Sequence, residues 1–402
     1  MQTIATTSDI TAITGNARSS RYDAVVVGGR AAGASTAMLL ARRGLRVLVV
    51  DRDGYGSDTL STHALMRGAI NQLEGWGVAA PLRAVTPSIT SIVFHYGDRE
   101  QPLDATSEGT SSPLIAPRRT VLDRVLVDYA SDAGVEFRHR TKLIALDRDI
   151  TGRVIGVELE DRKGRRSVVG ADLVIGADGL NSTVARQLEV PVTRQGTEAS
   201  AYVMRYLDGV DLDRSTYHWL YRPEIGAGFI PTVDGQFVVF AAMTRDRFRN
   251  EIRADVSGGF HRVLDEVDED FGAKARAAVP AGPVRAWPGR PGQFRKAYGP
   301  GWALVGDAGY FKDPFAAHGI SDALRDAELL ADAVVDGDFA GYEHARNELS
   351  APLFEALESI ASYRWTLDDL PGLHLNLGKA MTAEQRTLSA HFGRADRSAL
   401  AA

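Results

Sequence analysis

The chain predicts an α/β fold with an inserted, mainly antiparallel sheet and C-terminal helices. Three observations carry that expectation. Residues 22–51 run apolar stretch, glycine-rich turn, helical pattern, apolar stretch. Residues 197–290 hold aromatic, alternating segments of the kind that form half-buried strands. From Gly319 onward the apolar residues recur at helical spacing.

The first element is a strand ending in Ala24–Val27. The turn Gly28–Gly33 follows, then a helix, then a second buried strand closing on Asp51. That order is a Rossmann-like βαβ unit whose turn binds a dinucleotide pyrophosphate at the helix N-terminus. Gly28 permits the tight turn and Gly33 lets the helix approach the strand; Gly29 and Ala32 complete the expected phosphate-facing set. Asp51 lies 18 residues after Gly33, where an acid hydrogen-bonds a ribose hydroxyl, and Arg52 adjoins it. The middle glycine of G-x-G-x-x-G is replaced by Arg30.

Next come a helix over about Ala64–Gly75, a strand Ser91–Tyr96 and a polar, loop-like stretch 101–112. Pro117–Gly134 is an amphipathic helix. Val135–His139, Lys142–Asp149 and Arg153–Glu160 are strands, and Ala171–Gly176 is a short buried strand. In the inserted region, strands fall at 201–207, 215–221, 228–231 and 236–243, followed by interrupted helix to Ala278. Trp302–Gly306 returns to a buried strand before the helix Gly319–Val335, and 342–374 is mostly helical. The expected partition is a disordered leader (1–20), a discontinuous nucleotide domain (21–85, 113–192 and 294–338), an inserted domain (86–112 with 193–293) and a C-terminal helical segment (339–402).

Composition narrows the function classes. A net charge of −6 over 402 residues gives no basic field for nucleic acid or anionic membrane. The absence of cysteine excludes disulfides, thiolate metal sites and a cysteinyl–flavin bond. No run of about 18 apolar residues predicts a membrane helix, and residues 1–20 lack the apolar core of a signal peptide, so a cytoplasmic protein is expected. The nine histidines are scattered, and no histidine–carboxylate set at ligand spacing is legible, so no metal is expected. No G-x-S-x-G elbow is present.

Two distant segments narrow the reading further: DLVIGADGLNSTVARQL (Asp172–Leu188) and WALVGDAGYFKDPFAAHGISDALRDAELLADAV (Trp302–Val335). With the opening turn they give the order strand–turn–helix, A-D-G-x-N-S-x-V-x-R, then G-D-A-x6-P-x4-G. This order resembles the FAD-dependent monooxygenases of the para-hydroxybenzoate-hydroxylase fold, a superfamily that also holds flavin halogenases and geranylgeranyl reductases. The resemblance covers roughly residues 22–335. It implies bound, non-covalent FAD. It also implies NAD(P)H as a transient reductant, and O2 captured as a flavin C4a-hydroperoxide that oxygenates a small organic substrate. It places Asp178 between the flavin and the nicotinamide, Arg119 near the FAD and the strand backbone at Leu143 beside the adenine. Gly306 and Asp307 fall at the ribityl chain; Pro314, Gly319 and Ile320 fall where a helix N-terminus faces the flavin N1–C2=O edge. Arg30 is expected either at the pyrophosphate or swung toward the dimethylbenzene edge.

For the substrate, Tyr217, Trp219 and Tyr221 alternate on one strand face, and Phe229 and Pro231 lie where the family's sheet roofs the flavin; Trp219 is the foremost candidate. His63 and His318 are candidate acid–base residues. The halogenase motif W-x-W-x-I-P and the reductase motif Y-x-W-x-F-P both meet Gly226-Ala227-Gly228-Phe229-Ile230-Pro231 here, without their leading aromatics. A reductase, a halogenase with a drifted motif, or a non-catalytic ligand-binding flavoprotein are the alternatives. A monomer or homodimer is expected.

Overall fold

A computed structural model describes residues 21–106 and 112–399, with side chains to Ala390. The expected leader, residues 1–20, lies outside the described residues. The nucleotide layer is a sheet whose parallel core runs Trp302–Leu304, Arg166–Gly176, Arg21–Val27, Val47–Asp51 and Glu136–His139. Val26 sits between Val49 and Ile175 in register. Where they pair at the centre of the sheet, at Ala24–Val27, Val47–Val50 and Leu173–Gly176, these strands are apolar and buried because helices or further strands cover both faces. Arg166–Gly176 is one long strand, longer than the short strand Ala171–Gly176 that the sequence suggests. Its first half pairs antiparallel with Val154–Asp161, and its second half runs parallel to Arg21–Val27.

The helix Ala31–Arg42 buries Ala31, Gly33, Ala34 and Ala37. These small side chains allow close packing against the helix Gly319–Asp336, whose buried face carries Ala323, Ala327 and Ala331. That helix stops at Gly337, which adopts the left-handed conformation a C-terminal cap favours.

The second layer is an eight-stranded sheet ordered Val279–Pro280, Ser200–Asp208, Gln236–Thr244, Ile225–Pro231, Thr216–Arg222, Ser91–Tyr96 and Arg99–Asp104, with Arg285–Trp287 also on Ser200–Asp208. All its pairs are antiparallel except Thr216–Arg222 with Ser91–Tyr96. The expected loop after Tyr96 is partly strand: Arg99–Asp104 closes a hairpin around Gly97, whose φ is 64°. All six of its residues are exposed, so no hydrophobic alternation marks it.

One face of this sheet turns to the nucleotide layer and shares its core. The other face packs Phe229, Phe237 and Val239 against helices Val256–Val267 and Glu269–Ala277. Two long helices, Phe339–Ala361 and Leu370–Ala399, complete the chain. Among the described residues no helix is long and apolar enough to cross a membrane.

Candidate functional site

A cavity of about 540 Å³ lies between the carboxyl ends of the parallel strands and the inner face of the second sheet. Open α/β sheets place ligands at this position. Its walls include Gly28, Arg30, Ala32, Asp51, Arg52, His63, Arg119, Leu143, Asp178, Asp307, Pro314, Gly319 and Ile320. Three expected positions stand one step behind. Gly29 donates its N–H to the Asp51 carboxylate at 2.6 Å. A Cβ at Gly33 would lie 1.8 Å from the Gly28 carbonyl oxygen, so only glycine fits there. Gly306 has φ 59°, and a Cβ on it would meet the Ala32 methyl at 2.9 Å.

The donor set suits an anionic, hydroxyl-rich ligand. The helices starting at Ala31 and Gly319 have no side-chain cap; the first has no acidic residue in its first turn, and the second has Asp322, which pairs with Lys312 and Arg325. Their free N–H groups and positive dipole ends meet the cavity. A Cβ at Gly319 would meet nothing within 4 Å, so that helix start faces open space. Asp307 lines the cavity without a hydrogen bond to its carboxylate among the described residues, and burial pushes its pKa up to about 6. A ligand hydroxyl would satisfy it. Both Asp51 oxygens already accept backbone N–H groups, from Gly29 and from Asp53 at 2.7 Å.

Arg30 takes neither of its expected routes in full. It lines the cavity, but its guanidinium reaches Asp53 at 3.1 Å, Asp123 at 3.3 Å and the Ser57 carbonyl at 3.0 Å. It therefore pins the loop after the second strand across the phosphate turn. Asp123 is shared with Arg119, which approaches at 2.9 Å. Asp178 accepts from the Ser182 hydroxyl and from the Thr183 N–H at 2.6 Å, and so caps the helix Thr183–Gln187 while it borders the cavity.

The aromatic wall differs from the expected one. The cavity is faced by Tyr202, Met204, Phe240, Trp287 and Phe311. Tyr217, Trp219 and Tyr221 share that face of the sheet but stand two strands further out and do not line the cavity. Trp219 reaches it only through Phe240, edge to face at 5.5 Å. Tyr221 is covered by Phe315 at 5.7 Å and His374 at 4.8 Å. Phe229 points to the opposite face, against Phe271 at 5.1 Å, because strand alternation puts it opposite to Gly228 and Ile230. Pro231 ends its strand opposite Phe237, away from the cavity. The glycines where the family motifs carry aromatics have a physical counterpart. A Cβ at Gly226 would meet the Phe315 ring at 2.4 Å, and one at Gly228 would meet the Phe240 ring at 2.4 Å. Rings from other elements fill the space those aromatics would take.

His318 does not face the cavity. It is 2% exposed, and its Nε2 lies 2.6 Å from Glu384 of the C-terminal helix. Glu384 also holds Arg325 at 2.5 Å; Arg325 pairs with Asp322 and Asp326, and Lys312 contacts Asp322. A histidine–carboxylate set, His318, Asp322 and Glu384, does therefore exist among the described residues. It was illegible because Glu384 comes from a helix 66 residues away in sequence. Two cations, Lys312 and Arg325, already compensate its carboxylates.

A sequence model of the FAD binding domain family matches residues 21–336. The chain belongs to this family. Among curated proteins, digeranylgeranylglycerophospholipid reductase 1 of Methanococcoides burtonii is 25% identical over 376 residues, covering 86% of this chain and 79% of that protein. Menaquinone reductase of Mycolicibacterium smegmatis is 28% identical over 347 residues, covering 81% and 79%. Among solved structures, the flavin-dependent brominase Bmp2 superposes with a TM-score of 0.76 at 18% identity, over 93% of this chain and 100% of that one. At that identity the likeness shows the fold.

FAD is thus the cofactor, and the chain is an FAD-dependent oxidoreductase of the superfamily that holds hydroxylases, halogenases and reductases. The cavity fits the cofactor on its own terms: two uncapped helix starts and a carboxylate with no hydrogen-bond partner among the described residues line one continuous space, beside a turn that only glycine permits at Gly33. The aromatic wall was missed by sequence reasoning. Its signal was present, since Tyr202, Met204 and Tyr206 alternate on one strand as regularly as Tyr217, Trp219 and Tyr221 on another. What the sequence did not reveal was which strand lies nearer the nucleotide layer.

Proposed function

We propose that this chain is a single-component FAD-dependent monooxygenase that uses NAD(P)H and O2 to oxygenate a small, ring-bearing organic substrate. One observation carries the reading: a single cavity runs from the dinucleotide turn to Tyr202, Phe240, Trp287 and Phe311. Substrate and cofactor would share one apolar-walled space, as oxygen insertion demands. FAD supplies the activation of dioxygen when bound. The chain's residues supply the rest. The amides of Gly319 and Ile320 present donors to the flavin's developing negative charge without adding a titrating group. Gly28 and the first turn at Ala31–Ala32 hold the pyrophosphate, Asp307 accepts a ribityl hydroxyl, and Asp51 holds the adenosine ribose. Phe240, Tyr202 and Trp287 position the substrate and exclude water, with Trp219 backing Phe240. The sequence holds no second dinucleotide fingerprint, so NAD(P)H would act as a passing reductant. A monomer or homodimer in the cytoplasm belongs to the same reading.

A second reading, reduction of a C=C bond, is favoured by the reductases that match most of this chain. Turnover under 18O2 separates the two. The monooxygenase reading requires one 18O atom in product per NAD(P)H consumed with substrate present. Product formed without oxygen, in an anaerobic vessel, would replace it with the reductase.

A further inference from the structure

The segment from Asp313 to the start of the helix Gly319–Asp336 joins the two layers at the cavity. Pro314, Ala317, Gly319 and Ile320 line the cavity on one side, and Tyr202 and Met204 line it from the second sheet. One side chain ties these walls together. Asp313 is 3% exposed. Its Oδ2 accepts the N–H of Ser200, the first residue of the strand Ser200–Asp208, at 2.6 Å. Its Oδ1 accepts the Tyr202 O–H at 3.1 Å and, within its own loop, the Phe315 N–H at 3.0 Å. The same carboxylate thus caps the turn Pro314–Ala316. Phe315 then packs against Tyr221 and over Gly226, which seats the loop on the inner face of the sheet.

This is a costly fastening. Among the described residues the partners of the Asp313 carboxylate are three neutral donors and no cation. Burial pushes its pKa up to about 6, against the opposite pull of those donors. The unfolded value is about 3.9. The charged form therefore costs stability as pH rises from there, and the full cost is present above about 6. At neutral pH the charge weakens the fold, while the bonds it accepts fix a geometry at the cavity.

We propose that Asp313 is a positioning residue of the oxidoreductase site: it holds the Tyr202 wall and the flavin-facing amides of Gly319 and Ile320 at one fixed spacing. The Tyr202 O–H is its hold on the wall, and the Phe315 N–H is its hold on the loop. The inference rests on the FAD reading of the cavity and adds the link between its two ends.

The test uses FAD-loaded protein. It reads the flavin midpoint potential by equilibration with a reference dye, together with thermal melting. The amides of Gly319 and Ile320 favour the reduced flavin's negative charge, so a loosened loop should lower the potential. Tyr202→Phe keeps the ring and removes one bond, and Asp313 Oδ1 keeps the Phe315 N–H. Melting should fall by only about 2 °C, one hydrogen bond in a chain this long. At the potential where the wild type is half reduced, the ratio of reduced to oxidised FAD should fall about two- to five-fold, up to the worth of that bond. Asp313→Asn should lower the ratio further, because an amide nitrogen turned to the Ser200 N–H accepts nothing. In that background Tyr202→Phe should add no further shift. Met204→Leu, in the same wall but with no hydrogen bond to the loop, should leave the ratio unchanged. An unchanged ratio in Tyr202→Phe overturns the proposal, even where Asp313→Asn fails to fold. So does a full Tyr202→Phe shift in the Asp313→Asn background, or an equal shift in Met204→Leu. A wild-type protein that takes up no FAD removes the flavoenzyme reading first; a loaded protein whose ratios do not move removes this proposal alone.

Discussion

Glu384→Ala is the sharpest test of how the C-terminal helix bears on the flavin site. The family match ends at residue 336, yet Glu384 reaches back to the start of the Gly319 helix. Its side chain is 4% exposed and takes two bonds, from Arg325 at 2.5 Å and His318 at 2.6 Å. Removing one member of a buried ion pair typically costs about 3–5 kcal/mol. Arg325 would keep Asp322 and Asp326, which argues for the low end, about 3 kcal/mol. At roughly 2 °C per kcal/mol for a chain this long, the melting temperature should drop by about 6 °C. Differential scanning of the FAD-loaded protein, followed by flavin fluorescence, would read this directly. Glu384→Gln, which keeps an acceptor for His318 but loses the charge, should fall between. His318 and Arg325 hold the Glu384 carboxyl far below its ordinary value despite burial. Its stabilisation is therefore present above its unfolded pKa, about 4.3, and is lost as pH falls toward the folded value. Wild type and Glu384→Ala should converge in acid. Equal melting temperatures at pH 7 would show that the network does not hold the helix and refute the reasoning.

Gly33→Ala should abolish FAD uptake or folding, because the new methyl would lie 1.8 Å from the Gly28 carbonyl oxygen; a holoprotein with wild-type affinity would contradict the turn geometry. Asp307 titrates near 6 in the free cavity, so FAD affinity should weaken as pH falls through about 6 and the carboxylate stops accepting; Asp307→Asn should bind FAD weakly at every pH yet raise the apoprotein's melting temperature, as calorimetry can check. Ala317 holds φ 51° in the loop before the flavin-facing helix, so Ala317→Gly should stabilise by up to about 1 kcal/mol in urea titrations, with destabilisation counting against that strain. Phe240→Ala should widen the cavity and shift ligand preference while leaving FAD affinity intact; unchanged selectivity would move the substrate elsewhere.

The sequence disclosed what local chemistry dictates. Gly33 and Gly306 are legible because no other residue fits their backbone surroundings, and Asp307 because it follows a buried strand at a turn. The nucleotide half of the cavity follows from such short-range constraints. The substrate half depends on which strands the sheet order brings to the nucleotide layer. Tyr202 and Phe240 became wall residues, and Trp219 a backing residue, through pairings such as Met204 with Phe240 and Phe240 with Gly228 that single-strand alternation does not contain. Phe229 was misplaced by one step of that alternation. Glu384 was invisible for a similar reason: its partners lie in an element far away in the chain, and a lone glutamate on a helix carries no mark of burial.

The central claim is that one cavity holds FAD beside a substrate that receives oxygen. Its most direct measurement is anaerobic titration of the yellow protein with NADPH, with and without bound ligand, followed by admission of 18O2. The account predicts one FAD per chain, reduction accelerated by ligand, and one 18O atom recovered in the product. A chain that binds no FAD, or reduced protein that reoxidises with the ligand returned unlabelled, would contradict it.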